Sequence, residues 1–82
     1  MSRPSAEERG LIGLMCLIVE TLRRRGSMVK EQELFNVLRS VRPDLSFSEF
    51  NKALMTLEVR GVIEVDTARR STRVIRLVEE RT

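Results

Sequence analysis

The sequence predicts a mainly α-helical domain with a small β-hairpin, of the α+β class, with a core that spans about residues 6–78. Apolar residues recur every three or four positions over three stretches, the spacing of helices that bury one face. A later stretch, residues 62–66, alternates apolar and polar positions and is rich in β-branched side chains, as half-buried strands are. The chain has 82 residues, the length of a single domain, so we expect one domain over residues 1–82.

The first helix is predicted over residues 6–25, and Gly26, a residue typical of helix ends, follows it directly. One face is expected to pack on the core and carries Leu11, Met15, Ile18, Val19 and Leu22. The flanks are apolar as well, which is typical of a helix that is central or lies at an interface. We therefore expect a homodimer seam along this helix, the alternative being that a loop or the chain ends cover it. The expected seam residues are Ile12, Leu14, Cys16 and Leu17.

A short extended segment is predicted over residues 27–29, directly before the second helix. That helix is expected over residues 30–41, because apolar residues recur there at helical spacing. Its apolar positions are Leu34, Val37, Leu38 and Val41. Pro43 ends it, since the residue before a proline disfavours the helical conformation.

The third helix is predicted over residues 47–60, with Gly61 as its stop. Ser46 and Glu49 form a capping-box pattern at its start, in which each side chain bonds the other residue's backbone N–H. The side expected to pack on the core carries Phe47, Phe50, Ala53, Leu54 and Leu57. The opposite side carries Ser48, Asn51, Lys52, Met55, Thr56 and Val59.

The hairpin is predicted to consist of a strand over residues 62–66, a polar turn over residues 67–71 and a returning strand over residues 72–78. The residues expected to face the core are Ile63, Val65, Ile75 and Leu77. The complete order is helix, short strand, helix, helix, strand, hairpin turn, strand.

Composition argues against an enzyme. The chain has no histidine, the commonest general base and metal ligand, and its one cysteine, Cys16, lies in an apolar helix. No catalytic residue, metal site, cofactor or small-molecule ligand is therefore predicted. The most apolar run, residues 11–19, is far shorter than the roughly 20 residues that cross a bilayer, so no membrane association is expected. A cytoplasmic protein is the simplest setting.

Charge favours an anionic partner. The formal net charge is +3, and residues 67–78 contain four arginines and no acid. Arginine accounts for almost all of the cations, and guanidinium groups suit phosphates and guanine edges better than ammonium groups do. Genome-wide codon bias or adaptation to heat would explain the arginine excess equally well.

The order of elements resembles the winged helix-turn-helix superfamily of DNA-binding proteins. It looks like the small prokaryotic or archaeal transcription regulators of this superfamily, many of which have a recognition helix that ends in Leu-Glu-x-x-Gly-(Val/Leu)-Ile and runs straight into a strand. Residues 57–63, Leu-Glu-Val-Arg-Gly-Val-Ile, have that form. The resemblance covers about residues 6–78 and consists of core positions, so it specifies a fold better than a ligand.

The resemblance implies double-stranded DNA binding. Together with the dimer seam expected along the first helix, it favours a small dimeric, nucleoid-associated transcription regulator. The third helix would enter the major groove, and the hairpin, or wing, would reach the backbone or an adjacent minor groove. Asn51 suits adenine, Lys52 suits guanine or phosphate, and hydroxyl side chains suit either. The expected DNA-binding residues are Ser46, Ser48, Asn51, Lys52, Thr56 and, at the hairpin tip, Arg69, Arg70 and Arg73.

The alternative is a winged-helix module that binds another protein in a transcription, replication or other multiprotein assembly. Met55 and Val59 are apolar on the side expected to face DNA, which would suit a protein partner. The arginine cluster would then serve solubility.

Overall fold

The described part of the chain forms three helices and one three-stranded antiparallel sheet, a mixed architecture that is compatible with the predicted α+β class. The computed structural model describes residues 6–69 and 72–78. In chain order the elements are α1 (Ala6–Arg24), β1 (Met28–Lys30), α2 (Glu31–Val41), α3 (Phe47–Val59), β2 (Ile63–Arg69) and β3 (Thr72–Leu77). Among these described residues, no helix is long and apolar enough to cross a membrane.

Two helices end in the same way, at glycines with a left-handed backbone. Gly26 follows α1 with a φ of 86°, and Gly61 follows α3 with a φ of 77°. Beyond each glycine, a backbone N–H donates back to a carbonyl near the end of the helix, from Ser27 to Leu22 and from Val62 to Leu57. Residues with a Cβ rarely adopt this conformation, so glycine at these two positions determines where the helices stop.

The core lies where the three helices meet the inner face of the sheet. Every helix contributes side chains spaced three or four residues apart, as the sequence pattern predicts. The largest fully buried side chains are Ile18 and Leu22 of α1, Leu34 and Leu38 of α2, Phe50 and Leu54 of α3, and Ile63 and Ile75 of the sheet.

The sheet has the strand order β1-β3-β2, so the hairpin strand β3 lies in the middle. Val29, Ile75 and Val65 form one cross-strand row on the core face, since each is the direct partner of the next. The predicted polar turn over residues 67–71 is wrong in part, because β2 continues to Arg69. An irregularity of register between Thr67 and Arg69 accommodates the extra length, as β-bulges do.

Leu14 is a correction to the expected dimer seam. Its side chain is only 3% exposed and belongs to the core cluster. The reason is that α1 packs against α2, α3 and β3, so that more than one side of the helix is covered by its own chain. Ile12 and Cys16 are exposed, and Leu17 is half-buried. The part of α1 left open is therefore narrower than the sequence predicts.

Candidate nucleic-acid interface

The side of α3 that faces away from the core is the best candidate for a functional surface. The helix packs inward through Phe50, Ala53, Leu54 and Leu57, all of them buried. A shallow open groove of about 540 Å³ runs along the opposite side. Its lining residues, called here the outer α3 face, are Ser48, Asn51, Lys52, Met55, Thr56, Val59 and Arg60.

The capping box fixes the start of α3. The backbone N–H of Glu49 donates to the Ser46 hydroxyl oxygen at 3.1 Å, and the Ser46 N–H donates to the Glu49 carboxylate at 3.1 Å. Ser46 is therefore occupied in holding the helix end rather than pointing at a partner. Glu49 also places a negative charge at the end of α3 where a phosphate would otherwise be favoured.

Polar groups on the outer α3 face make only weak or local bonds. The Asn51 amide lies 3.7 Å from the Met55 sulfur, and sulfur is a weak acceptor. The Thr56 hydroxyl donates to the Lys52 backbone carbonyl at 2.9 Å, which leaves its oxygen lone pairs as acceptors. Exchanging such contacts for hydrogen bonds to base edges costs the chain little.

The cations of the outer α3 face are available to an anion. Within residues 6–69 and 72–78, the ion pairs engage Arg24, Arg25, Arg73 and Arg76, but not Lys52 or Arg60. Both side chains are exposed, and the lining of the groove contains no carboxylate. This surface therefore presents positive charge that the described part of the chain does not neutralise.

Arg60 is absent from the site residues expected from the sequence, although its spacing from Lys52 and Thr56 indicates the same side of the helix. Lys52, Thr56 and Arg60 are spaced four residues apart, so they lie on one side of a helix that continues to its cap. Arg60 is the C-cap residue of α3 and has a helical backbone, with φ −81° and ψ −3°. The outer α3 face thus includes one residue, Arg60, beyond those that the sequence predicts on this side of the helix.

Of the three arginines expected at the hairpin tip, the structure describes the side chain of Arg73 alone. Arg70 lies outside the described residues, and Arg69 is described only by its backbone, which pairs with Thr72. Arg73 was expected at the hairpin tip, but it lies on β3 opposite Thr67, and its guanidinium is 3.2 Å from Glu31 Oε2. Its charge is therefore directed at α2 rather than away from the chain.

Arg73 compensates the negative charge of the partly buried Glu31 carboxylate. Its side chain is only 16% exposed and lies in the first turn of α2, where the helix dipole favours a negative charge. Oε2 is buried and makes no aligned hydrogen bond within the described residues, so the arginine supplies its compensating charge. The pair connects the second residue of β3, near the turn of the hairpin, to the first turn of α2.

Replacing Arg73 with alanine is expected to lower the free energy of unfolding by about 1–3 kcal/mol, because a partly buried carboxylate loses its partner. If the chain binds duplex DNA, the salt dependence of that binding is expected to stay unchanged, because Glu31 already neutralises the arginine. Chemical denaturation and duplex-binding titrations would measure the two effects. A salt slope that falls by about one in this variant would show that Arg73 contacts a phosphate instead.

The outer face of the sheet is electrically balanced. Arg76 on β3 donates to Glu64, its cross-strand partner on β2. That hydrogen bond and the carboxylate charge raise the pKa of Arg76. Arg25, which directly follows α1, and Glu33 of α2 form another exposed pair at 2.8 Å. These paired arginines therefore attract an anion less strongly than the cations of the outer α3 face, Lys52 and Arg60, which are unpaired among the described residues.

Metal binding finds no support in the part of the chain that the structure describes, where no cluster of three or more Cys, Asp or Glu side chains could hold an ion.

Comparison with protein-family models, with curated proteins and with solved structures finds no match to this chain.

Proposed function

We propose that the protein binds double-stranded DNA as a small winged helix-turn-helix transcription regulator associated with the nucleoid in the cytoplasm. In this proposal α2 and α3 form the helix-turn-helix and the β2–β3 hairpin is the wing. The observation that carries it is the outer α3 face, where exposed Lys52 and Arg60 stand beside polar side chains with no carboxylate among them.

The dimensions of α3 suit a major groove. With 13 residues the helix is about 20 Å long, and a groove about 12 Å wide admits one helix. Asn51 is placed to make paired hydrogen bonds to adenine, and Lys52 to reach guanine or a phosphate. Ser48 and Thr56 contribute hydroxyls on the same side, and Ser46 acts indirectly by capping the helix.

Non-specific affinity would come from phosphate contacts. Lys52 and Arg60 on the helix, with Arg69 and Arg70 on the wing, offer four cations to the backbone. Each contact that releases a counterion contributes about −0.9 to the slope of log affinity against log salt, so we expect a slope near −3.5. Titrating random duplex DNA at several salt concentrations tests the proposal. Absence of binding at low salt, or a flat salt dependence, would exclude it.

The Arg69→Ala/Arg70→Ala variant is expected to weaken binding to every duplex sequence and to reduce the magnitude of the salt slope by about one to two. The reason is that wing arginines contact the backbone, which carries no direct sequence information. Filter binding on two unrelated duplexes at four salt concentrations measures both quantities. An unchanged slope would show that the wing does not contact the DNA backbone, while α3 could still form the interface.

The Asn51→Ala variant is expected to behave differently, with relaxed preference at one base pair and a cost of about 1–3 kcal/mol there. A selection from randomised duplexes, repeated with the variant, would show the change as one position of the site losing its preference. Equal loss on all sequences would mean that Asn51 contacts only the backbone.

A protein-interaction module is the second candidate, and it has its own supporting observation. Met55 is 55% exposed and Val59 is 86% exposed on the outer α3 face. Binding to the DNA backbone does not require this apolar surface, whereas a protein partner could bury it. The salt titration separates the two candidates, because a protein partner predicts no duplex binding even at low salt. The same apolar side chains would then be the contacts of the partner chain.

A further inference from the structure

We propose that two copies of the chain pair through α1 in an antiparallel arrangement with a defined register. The surface involved, called here the α1 stripe, consists of Arg9, Ile12, Gly13, Cys16 and Glu20, which are all exposed. This inference does not rest on DNA binding, because the stripe lies on α1 and shares no residue with the outer α3 face.

The stripe lies on the side of α1 opposite its deepest core residues. At about 100° per residue, its five positions lie within an arc of roughly 100°, and Ile18 and Leu22 point the other way. Ile12 is 48% exposed at one edge of the stripe, and half-buried Leu17 lies beyond the opposite edge. The chain itself leaves this apolar strip open to a partner.

The charges at the two ends of the stripe identify the partner as a second copy. Arg9 lies near one end and Glu20 near the other, eleven residues or about 17 Å apart. A two-fold axis midway between them brings Arg9 of each copy beside Glu20 of the other. The same axis places Gly13 opposite Cys16. A parallel pairing would instead place Arg9 beside Arg9 and Glu20 beside Glu20, which repel.

Gly13 supports a close approach by another helix. Glycine weakens a helix interior, so its presence in the middle of α1 calls for a reason. A Cβ added at Gly13 would meet nothing within 4 Å, so packing within the chain does not require glycine there. The register above places this glycine against Cys16 of the second copy, where a small residue lets the two backbones come near each other.

The contact is small, so the dimer is expected to be reversible. A stripe about 17 Å long buries less than the roughly 1,200 Å² of a standard stable interface. We expect dissociation in the micromolar range or weaker, measured by sedimentation equilibrium on the full chain. Within the chain, Glu20 also lies 3.6 Å from Arg24, an exposed pair that the second copy's Arg9 would join.

Charge reversal tests the register. Arg9→Glu is expected to raise the dimer dissociation constant about tenfold, because two like-charged pairs replace two opposite ones. The double variant Arg9→Glu/Glu20→Arg is expected to restore the dissociation constant to within about threefold of the original. Lys30→Glu, with the same change in net charge outside α1, is the matched control and should leave dimerisation unchanged. A double variant as weak as the single one would overturn the antiparallel register.

Gly13→Gln separates dimerisation from folding. It is expected to raise the thermal midpoint, since glutamine is the better helix former, and to weaken self-association at least tenfold. A short bis-maleimide should crosslink the native dimer through Cys16, the only cysteine of the chain, and should fail with Gly13→Gln. A chain that stays monomeric at about 200 μM, or a dimer unaffected by Gly13→Gln, would overturn the proposal.

Discussion

Replacing Phe50 with alanine is expected to lower the free energy of unfolding by about 3–5 kcal/mol, the usual cost of removing a buried phenylalanine. Its ring is fully buried and lies 5.0 Å from the Phe35 ring and 5.7 Å from the Phe47 ring, centroid to centroid. These three rings join α2 to α3, and all the aromatic residues of the chain are among them. A small domain has little stability to spare, so much of the variant should be unfolded at 37 °C.

Thermal denaturation followed by circular dichroism measures this loss. Phe47→Ala is the matched control, because that side chain is 47% exposed and meets Phe35 edge to face with ring centroids 5.3 Å apart. Its cost should be about 1 kcal/mol, near the value of one aromatic pair. If the two variants were equally stable, the aromatic cluster would not hold α3 against α2, and the orientation of the outer α3 face would need another cause.

Helix ends and helix faces were predictable because their causes are local. Gly26 and Gly61 adopt the left-handed backbone that ends a helix, and Pro43 follows the end of α2 closely, as the sequence predicts. The period of 3.6 residues also identified which side of α3 is open. Lys52 and Asn51 were assigned to that side from spacing alone, and both line the groove.

Features that depend on contacts distant in sequence were not predictable. Residues 67–69 are polar and resemble a turn, but pairing with β3 extends β2 across them. The contact between Arg73 and Glu31 joins residues far apart in sequence, and nothing local in either segment indicates it. Leu14 was assigned to the dimer seam because helical periodicity alone does not show how many sides of α1 its own chain covers.

The largest effect on binding is expected from the Lys52→Glu/Arg60→Glu variant. It should lower affinity for duplex DNA at least about a hundredfold near 100 mM salt, or about 2.7 kcal/mol. The variant loses two phosphate contacts. It also places two carboxylates against the DNA backbone, in a groove whose lining contains no carboxylate in the original chain. Because both side chains are exposed and outside the described ion pairs, the fold should be unaffected.

Arg23→Glu/Lys30→Glu is the control with an equal change in net charge. Arg23 lies in the last turn of α1 and Lys30 lies on β1, and both are exposed and belong neither to the described ion pairs nor to the outer α3 face. If attraction depended on net charge alone, both double variants would lose the same affinity at every salt concentration. If the outer α3 face is the contact surface, only the Lys52/Arg60 variant loses about two units of salt slope, because counterions are released only where a cation meets a phosphate.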